Sequence, residues 1–101
     1  MADRSAARTH PDYDLPDALH LTRPEHYRAL FQDTRLAIIK LLDERAATTS
    51  ELAEALARPK GTVGHHLKVL EGAGLVRVVR TKRVRALEAK YYGRTARVFY
   101  Y

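Results

Sequence analysis

The sequence predicts a mainly α-helical domain with a small β-hairpin, an α+β fold. Residues 48–74 contain two stretches in which apolar residues recur with helical spacing, separated by a break that contains a proline. Residues 75–92 then change to a valine-rich pattern that is typical of β-strands. The 101 residues are enough for one domain with a modest core, near the size at which a partner subunit helps.

The first helix of this pair begins at a capping box. Thr48 is placed to accept a hydrogen bond from the backbone N–H of Glu51, whose carboxylate reaches back to the amide of Thr48. Leu52 and Leu56 lie four residues apart and form a narrow apolar stripe. The proline within residues 58–61 disfavours helix at the residue before it, so we expect a turn there.

The second helix is predicted over about residues 59–73, with Gly74 as its left-handed stop. Advancing each residue by 100° separates its surface into two faces. The apolar face contains Val63, Leu67 and Leu70. The outward face is small, polar and basic, and contains Gly61, Gly64, His65 and Lys68, with Thr62 at its flank. Glycine weakens a helix by roughly 1 kcal/mol relative to alanine, so close approach to another surface would explain the two outward glycines.

Two short helices joined by a turn and followed by an arginine-rich hairpin form a winged helix-turn-helix. We place the wing at about residues 75–92, with residues 81–84 at its tip. Four basic residues then crowd the protruding loop: Arg80, Lys82, Arg83 and Arg85. Because no two-residue glycine turn marks this hairpin, its register stays open.

At these residues the chain resembles the ArsR family of bacterial transcriptional regulators. The resemblance lies in residues 35–42, in residues 50–56 and above all in residues 62–70 with Gly74-Leu75-Val76 behind them, and it covers roughly residues 24–97. It implies a winged helix-turn-helix fold in which residues 59–73 form the DNA-recognition helix. It also implies that the helix entered through Pro24 belongs partly to a dimer interface.

Two further helices precede the pair. Thr22 can cap the one that is entered through Pro24. Asp33 is expected to cap the next, which would turn Leu36, Ile39 and Leu42 inward.

The two ends of the chain are expected to differ from the domain at 22–101. Residues 1–21 are polar, contain two prolines and have no sustained period, so we expect a partly ordered N-terminal arm. Its leucines and Tyr13 could dock on a neighbouring subunit. The apolar residues 98–101 leave three alternatives: a further strand, a dimer interface, or a chain cut from a longer protein.

The charge is divided unevenly along the sequence. Residues 1–57 hold seven Lys and Arg against ten Asp and Glu, whereas residues 58–101 hold eleven against two, for an overall charge of +6. A basic half that follows a helix-turn-helix suits the neutralisation of phosphates. A composition bias that is merely solvated is the other interpretation, but it gives no reason for the charge to change at residue 58.

The candidate DNA contacts differ in chemistry. His65 could donate to a base edge or a phosphate, and Thr62 could touch a phosphate or a thymine methyl or only cap locally. Lys60, Lys68 and the four basic residues of the wing are expected on phosphates. We expect His66 to pack partly under the helix and to form a local hydrogen bond, rather than to contact bases.

Several functions are excluded or disfavoured by what the chain lacks. It has no cysteine, no glycine-rich phosphate loop and no Ser-His-Asp pattern, so we expect neither an enzyme nor a cofactor. The resembled family often senses metals through cysteines on the first helix of the motif, where this chain has residues 51–54, Glu-Leu-Ala-Glu. His10, His20 and His26 show no metal-ligand spacing, so no metal site is predicted within the chain. An organic effector, a His/Asp/Glu metal site between subunits, or no ligand remain as alternatives.

The leading hypothesis is a homodimeric, sequence-specific DNA-binding transcriptional regulator. It would be a repressor that binds double-stranded DNA at a pseudo-palindromic operator through the recognition helix and the basic wing. The alternative is a winged-helix module that binds a protein partner or RNA. No apolar run approaches the roughly 18 residues of a membrane span and no signal peptide is present, so we expect a cytoplasmic protein without membrane contact.

Overall fold

Four helices and two separate two-stranded sheets form the fold in the computed structural model, which describes residues 11–100. In chain order the elements are β1 (Ala18–His20), α1 (Pro24–Leu30), α2 (Asp33–Leu42), α3 (Thr49–Leu56), α4 (Lys60–Gly72), β2 (Val76–Val84), β3 (Leu87–Arg94) and β4 (Val98–Tyr100). Strands β2 and β3 pair antiparallel, and β1 pairs parallel with β4. This arrangement confirms the predicted α+β class with its winged helix-turn-helix. Within residues 11–100, no helix has the length and apolar character that a membrane crossing requires.

The hydrophobic core lies where the helices meet the base of the hairpin. The side chains that are almost completely buried are Leu21, Ile38, Leu42, Leu52, Val63, Leu67, Leu70, Leu75 and Val76. Burial of each such side chain contributes roughly 1.5–3 kcal/mol. All three residues of the predicted apolar face of α4 belong to this set, so the core fixes which face of that helix points outward.

Helix α3 begins at the predicted capping box. The Thr48 hydroxyl accepts from the Glu51 amide at 3.1 Å, and the Glu51 carboxylate accepts from the Thr48 amide at 3.0 Å. The helix ends at Ala57, whose φ of 54° is left-handed, and Pro59 precedes the first turn of α4. The turn between the two helices therefore lies at residues 57–59.

Helix α2 differs from the prediction at its cap and at one core position. Gln32, not Asp33, is the N-cap, and its side chain accepts from the Arg35 amide at 2.9 Å. The inward stripe follows Thr34, Ile38 and Leu42, while Leu36 is 40% exposed. Leu36 lies two residues before Ile38 and so points to nearly the opposite side of the helix. The sequence did not predict that Thr34 belongs to this stripe, because threonine is a residue type that suggests a surface position.

The hairpin is longer than predicted and its tip lies elsewhere. The last pair of the β2–β3 ladder is Val84 with Leu87, so the turn consists of Arg85 and Ala86. The predicted tip at residues 81–84 is wrong, because these residues belong to β2. Arg85 provides the turn without glycine by adopting a left-handed φ of 58°, a conformation that costs roughly 1–2 kcal/mol. A register shift between Val78 and Arg80 changes which strand side chains share a face.

Residues 11–21, assigned from the sequence to an arm, pack against the domain. Leu21 is buried in the core, and β1 pairs with β4, so that residues 98–100 form a further strand, the first of the alternatives for this segment. The Tyr13 hydroxyl donates to the Leu42 carbonyl at 2.6 Å and accepts from the Arg94 amide at 2.8 Å. The expectation for residues 1–10, including His10, and for residue 101 lies outside the described residues.

Candidate nucleic-acid interface

Helix α4 separates into a buried and an exposed face as its sequence predicted. Val63, Leu67 and Leu70 are buried. The polar and basic positions predicted to point outward are exposed: Lys60, Gly61, Thr62, His65 and Lys68. The exposed face carries two lysines, and Gly61 has no heavy atom within 4 Å of where a side chain would begin. A surface could therefore approach this part of the helix closely.

Gly64 differs from the other predicted contacts. It is only partly exposed, and a Cβ atom at this position would lie 3.8 Å from the Thr49 methyl group. The small residue therefore faces helix α3, where the two helices of the motif approach each other. Gly64 therefore lies at the edge of the exposed face of α4, where its surface is shared between solvent and the start of α3.

A groove joins the start of α4 to the wing. It encloses about 250 Å³ and is lined by Thr48, Thr49, Ser50, Lys60, Ala89, Lys90 and Tyr92. Lys60 and Lys90 thus share one groove with the N-terminal end of α3, where the aligned peptide dipoles of the helix produce a partial positive charge. This combination suits a phosphate group. Lys90 was not among the residues predicted from the sequence, although its even spacing from Tyr92, which contacts the core, places it on the same side of β3.

The four basic residues that were predicted to crowd the wing tip fall into two groups that differ in their surroundings. Lys82, Arg83 and Arg85 are exposed in the outer part of the hairpin, with Arg85 in the turn. Arg80 instead contacts the N-terminal segment. Its Nη2 lies 3.0 Å from Oδ2 of Asp12, and its guanidinium stacks over the Tyr91 ring at 4.8 Å from the centroid. The prediction that Arg80 belongs to the protruding loop is therefore wrong, because the loop begins five residues later.

Asp12 is held by more than this ion pair. Its Oδ1 accepts from the Ala46 amide at 2.8 Å, and its carbonyl accepts from Nη1 of Arg80 at 3.1 Å. Partial burial raises the pKa of the Asp12 carboxyl, but the hydrogen bonds from Ala46 and Arg80 outweigh it and hold that pKa below its usual value. The ionised carboxylate thus connects residue 12 to the loop between α2 and α3 and to the β-hairpin.

The two adjacent histidines of α4 have different environments. His65 is exposed, whereas His66 is partly buried, with Nδ1 3.2 Å from Nη1 of Arg35 in α2. The predicted local hydrogen bond of His66 is wrong in its partner, which is 31 residues away. Burial lowers the pKa of His66, and the nearby charges of Arg35, His65 and Arg58 lower it further. Since arginine can only donate, Nδ1 must accept, so His66 is neutral in this arrangement.

Arg35 also connects α4 to the end of α1. Its Nε donates to the Ala29 carbonyl at 2.6 Å and its Nη2 to the Arg28 carbonyl at 3.4 Å. Both acceptors lie near the C-terminus of α1, where a cation is favoured by the helix dipole. One guanidinium on α2 therefore contacts both the backbone of α1 and His66 of α4.

The remaining described histidines have structural partners. His26 is buried, and its Nδ1 accepts from the Thr22 and Arg23 amides at 3.2 and 3.3 Å. His20 stacks on Tyr100 with ring centroids 4.7 Å apart. Over residues 11–100, no three His, Asp or Glu side chains come close enough together to hold a metal ion. Arg23 is the N-cap of α1 in place of the predicted Thr22.

Comparison with known proteins agrees with this geometry. A family model described as a helix-turn-helix domain matches residues 30–79. The HTH-type transcriptional repressor SmtB of Mycobacterium tuberculosis is 41% identical over 59 residues, which are 58% of this chain and 44% of that protein. An uncharacterized HTH-type transcriptional regulator of Methanocaldococcus jannaschii is 37% identical over 54 residues, 52% of this chain and 61% of its own. The chain spans about half the length of these curated relatives.

Solved structures share the fold. The homodimeric winged helix-turn-helix DNA-binding domain Mb0332 from Mycobacterium bovis, described as a possible ArsR-family transcriptional regulator, superposes with a TM-score of 0.60 and 23% identity, over 95% of this chain and 74% of that one. HlyU from Vibrio cholerae has a TM-score of 0.58 and 22% identity, over 71% and 73%. Over about half of its length the chain is thus similar to helix-turn-helix transcriptional regulators, and it shares the winged helix-turn-helix fold of these solved structures.

Proposed function

We propose that this protein is a sequence-specific DNA-binding transcriptional regulator, acting as a homodimeric repressor in the cytoplasm. The observation that carries the proposal is the groove in which Lys60 of the recognition helix and Lys90 of the wing lie beside the start of α3. A DNA backbone strand in this groove would bring the exposed face of α4 into the major groove. SmtB, a relative over 59 residues, is described as a transcriptional repressor, which supports the same role here.

The residues have distinct proposed roles in this complex. Thr62 and His65 would reach base edges, because they are exposed on α4, and Gly61 would let the helix backbone approach the groove closely. The phosphate contacts would come from Lys60, Lys68, Lys82, Arg83, Arg85 and Lys90. Gly64 would act indirectly by setting the distance between α3 and α4, and Arg80 would hold residue 12 rather than DNA.

A homodimer would place two recognition helices on a pseudo-palindrome, with half-sites about one helical turn apart. The Mb0332 domain is described as homodimeric, which supports this assembly. On this chain, the described residues leave several large apolar side chains exposed outside the wing, among them Leu36, Val98 and Tyr100. Sedimentation equilibrium measures the mass in solution, and a monomer at all concentrations, with and without operator DNA, would contradict the dimer.

A small-molecule effector is also proposed, without an assigned identity. A groove of about 460 Å³ lies between α1 and α4 and is lined by Glu25, Arg28, Ala29, Arg35, Val69, Gly72 and Ala73. A ligand that displaced Arg35 would disturb its contact with His66 on the recognition helix. A ligand bound in this groove would therefore change DNA affinity without touching DNA.

Selection of bound duplexes from a random pool tests the function directly. We expect enrichment of a palindromic motif, and an affinity for that motif that falls steeply with salt, because phosphate contacts release condensed counterions. The control is the double variant Lys60→Ala with Lys90→Ala, which should lose binding while keeping its thermal unfolding midpoint. Failure to enrich any duplex, combined with capture of RNA from a parallel random pool, would favour the interaction-module alternative instead.

A further inference from the structure

The guanidinium of Arg35, at the groove between α1 and α4, is only partly used by the fold. Arg35 lines this groove and is partly exposed. Of the five N–H donors of a guanidinium, three have acceptors here: the carbonyl oxygens of Ala29 and Arg28, at 2.6 and 3.4 Å, and Nδ1 of His66, at 3.2 Å. Among residues 11–100 the other two donors, one on each terminal nitrogen, have no acceptor. Arg35 can therefore bind a further group that supplies two acceptor atoms.

A carboxylate is the group that fits these two donors. Arginine pairs with a carboxylate through two parallel N–H···O bonds, because the two oxygens match the fork of the guanidinium. Arg28 adds a second guanidinium to the wall of the groove, and Glu25, about one helical turn earlier on α1, adds one negative charge. Two positive charges against one attract an anion. Glu25 disfavours a second carboxylate, so the groove favours an acid with only one.

The groove continues beyond Arg35 with small and apolar residues: Ala29, Val69, Gly72 and Ala73. Val69 and Ala73 lie three and seven positions after His66, the partner of Arg35, and so on the same face of α4. Gly72 narrows the groove least, because nothing lies within 4 Å of the position of a Cβ atom there. The volume of about 460 Å³ falls in the range of ligand sites. An apolar body attached to the carboxylate therefore has room along α4.

A carboxylate on Arg35 would compete with His66. The bond from Arg35 to His66 joins an ionised donor to a neutral acceptor. A bidentate pair with a carboxylate joins two ionised groups through two bonds and is therefore stronger. A guanidinium that turns toward the ligand releases His66. Because His66 adjoins His65, which is proposed to reach base edges, the release would act on the DNA-binding face of α4.

The protonation of His66 would change in the same direction. Burial lowers the pKa of His66, and three neighbouring groups lower it further: Arg35 on α2, His65 on α4 and Arg58 in the turn before α4. The α1 side of the groove contributes Glu25 and Arg28, one charge of each sign. A carboxylate that neutralises Arg35 and lies near the ring should raise the pKa of His66. Protonated His66 cannot accept from Arg35, so the ligand and the proton favour the same released state.

From these contacts we propose that the groove between α1 and α4 binds a monocarboxylic acid with an apolar body, whose carboxylate takes Arg35 from His66 and so weakens DNA binding. This inference rests on the proposed function and gives the effector a chemical class. The carboxylate pairs with Arg35, and the apolar body lies along Val69 and Ala73. An aromatic acid and a short fatty acid both meet this description, and the experiment distinguishes them.

The experiment uses sodium benzoate and sodium octanoate as probes of the aromatic and the aliphatic acid. Benzyl alcohol and 1-octanol are their uncharged counterparts. Each compound is titrated into the protein while NMR follows the ring protons of His66 over a range of pH, a measurement that needs no DNA. A parallel titration measures the affinity for a selected operator duplex.

Three variants locate the response. Arg35→Lys keeps the positive charge but loses the planar pair of donors. Gly72→Leu fills the groove, because the space beside Gly72 is open, and it tests the site independently should Arg35→Lys unfold. Arg45→Lys is the matched control, because Arg45 is exposed and lines a different groove with Glu44 and Ala55.

We expect at least one of the two acids to raise the pKa of His66 in the native protein and in Arg45→Lys. The same acid at saturation should weaken operator binding roughly tenfold, a coupling of the usual allosteric size. The alcohols should do neither, and both Arg35→Lys and Gly72→Leu should abolish the response. A response to benzoate alone identifies an aromatic acid, and a response to octanoate alone identifies a fatty acid.

Several results would overturn the inference. Native protein in which neither acid shifts the His66 resonances has no such site, and a shift that persists in Arg35→Lys and Gly72→Leu places the acids elsewhere. Alcohols that act as well as the acids would show that no carboxylate is recognised. An acid that shifts His66 but leaves operator affinity unchanged would refute the coupling. Failure of native protein to bind any duplex would refute the proposed function, whereas the NMR titration would still report on the groove.

Discussion

The imidazole of His66 accepts a hydrogen bond from the guanidinium of Arg35, with Nδ1 and Nη1 3.2 Å apart. Through this contact α4 is joined to α2 and, through the carbonyl of Ala29, to the end of α1. The bond requires a neutral imidazole, because a protonated ring has no acceptor to offer. Protonation of one side chain should therefore loosen the connection between three helices.

The stability of the fold should depend on pH through His66. Its pKa is lowered in the folded protein, so the unfolded chain takes up the proton first as the pH falls below the ordinary value of 6.5. The contribution of His66 is complete above that value and is lost as the pH falls through its folded pKa. Chemical denaturation measures the free energy of unfolding at pH 7.5 and at pH 5. We expect this free energy to decrease less between the two pH values for His66→Gln than for the native protein. His65→Gln is the matched control, and equal decreases in all three proteins would contradict the prediction.

Gly93 should tolerate no side chain. A Cβ atom there would lie 2.6 Å from Cε2 of Tyr13, and the tyrosine ring cannot move freely because its hydroxyl bonds Leu42 and Arg94. We expect Gly93→Ala to lower the free energy of unfolding by about 1–3 kcal/mol. Gly72→Ala is the control, because nothing lies within 4 Å of its missing side chain. An unfolding midpoint for Gly93→Ala at or above the native value would show that the ring is not held in this place.

Substitution of Gly61 by alanine should change stability and DNA affinity in opposite directions. Alanine has room at this position and at Gly72, near the opposite end of the same helix, so each substitution should stabilise the free protein by up to about 1 kcal/mol. Only Gly61→Ala adds a methyl group to the exposed face that is proposed to enter the major groove. Thermal unfolding and operator titration of both variants measure the two effects. The close-approach role of Gly61 fails if the two alanine variants bind DNA equally well.

Lys90 should contribute to DNA affinity as much as Lys60. Each lysine that neutralises one phosphate changes the slope of log K against log salt by about 0.9. We therefore expect Lys60→Ala and Lys90→Ala each to reduce the slope by about one, while Lys40→Ala changes nothing, because Lys40 is exposed on α2 and lines a different groove with Leu36 and Arg94. If Lys90→Ala binds DNA with the native salt slope, Lys90 does not contact a phosphate.

The sequence by itself determined the local features of the motif. The capping box at Thr48, the turn before α4 and the apolar face at Val63, Leu67 and Leu70 depend on residues only a few positions apart, so they follow from propensity and periodicity. The charge contrast between the two halves was likewise readable, and the resemblance to ArsR regulators came from the same residues.

Only the tertiary structure decided what depends on distant partners. Arg80 was misassigned because its carboxylate partner, Asp12, lies 68 residues away. The inward orientation predicted for Leu36 was wrong, because a helical pattern shows that a helix has faces but not which neighbour covers them. The wing tip was displaced because strand pairing held Arg85 in a left-handed conformation that no local preference indicates. In each case the deciding energy came from a contact between residues that the chain brings together only on folding.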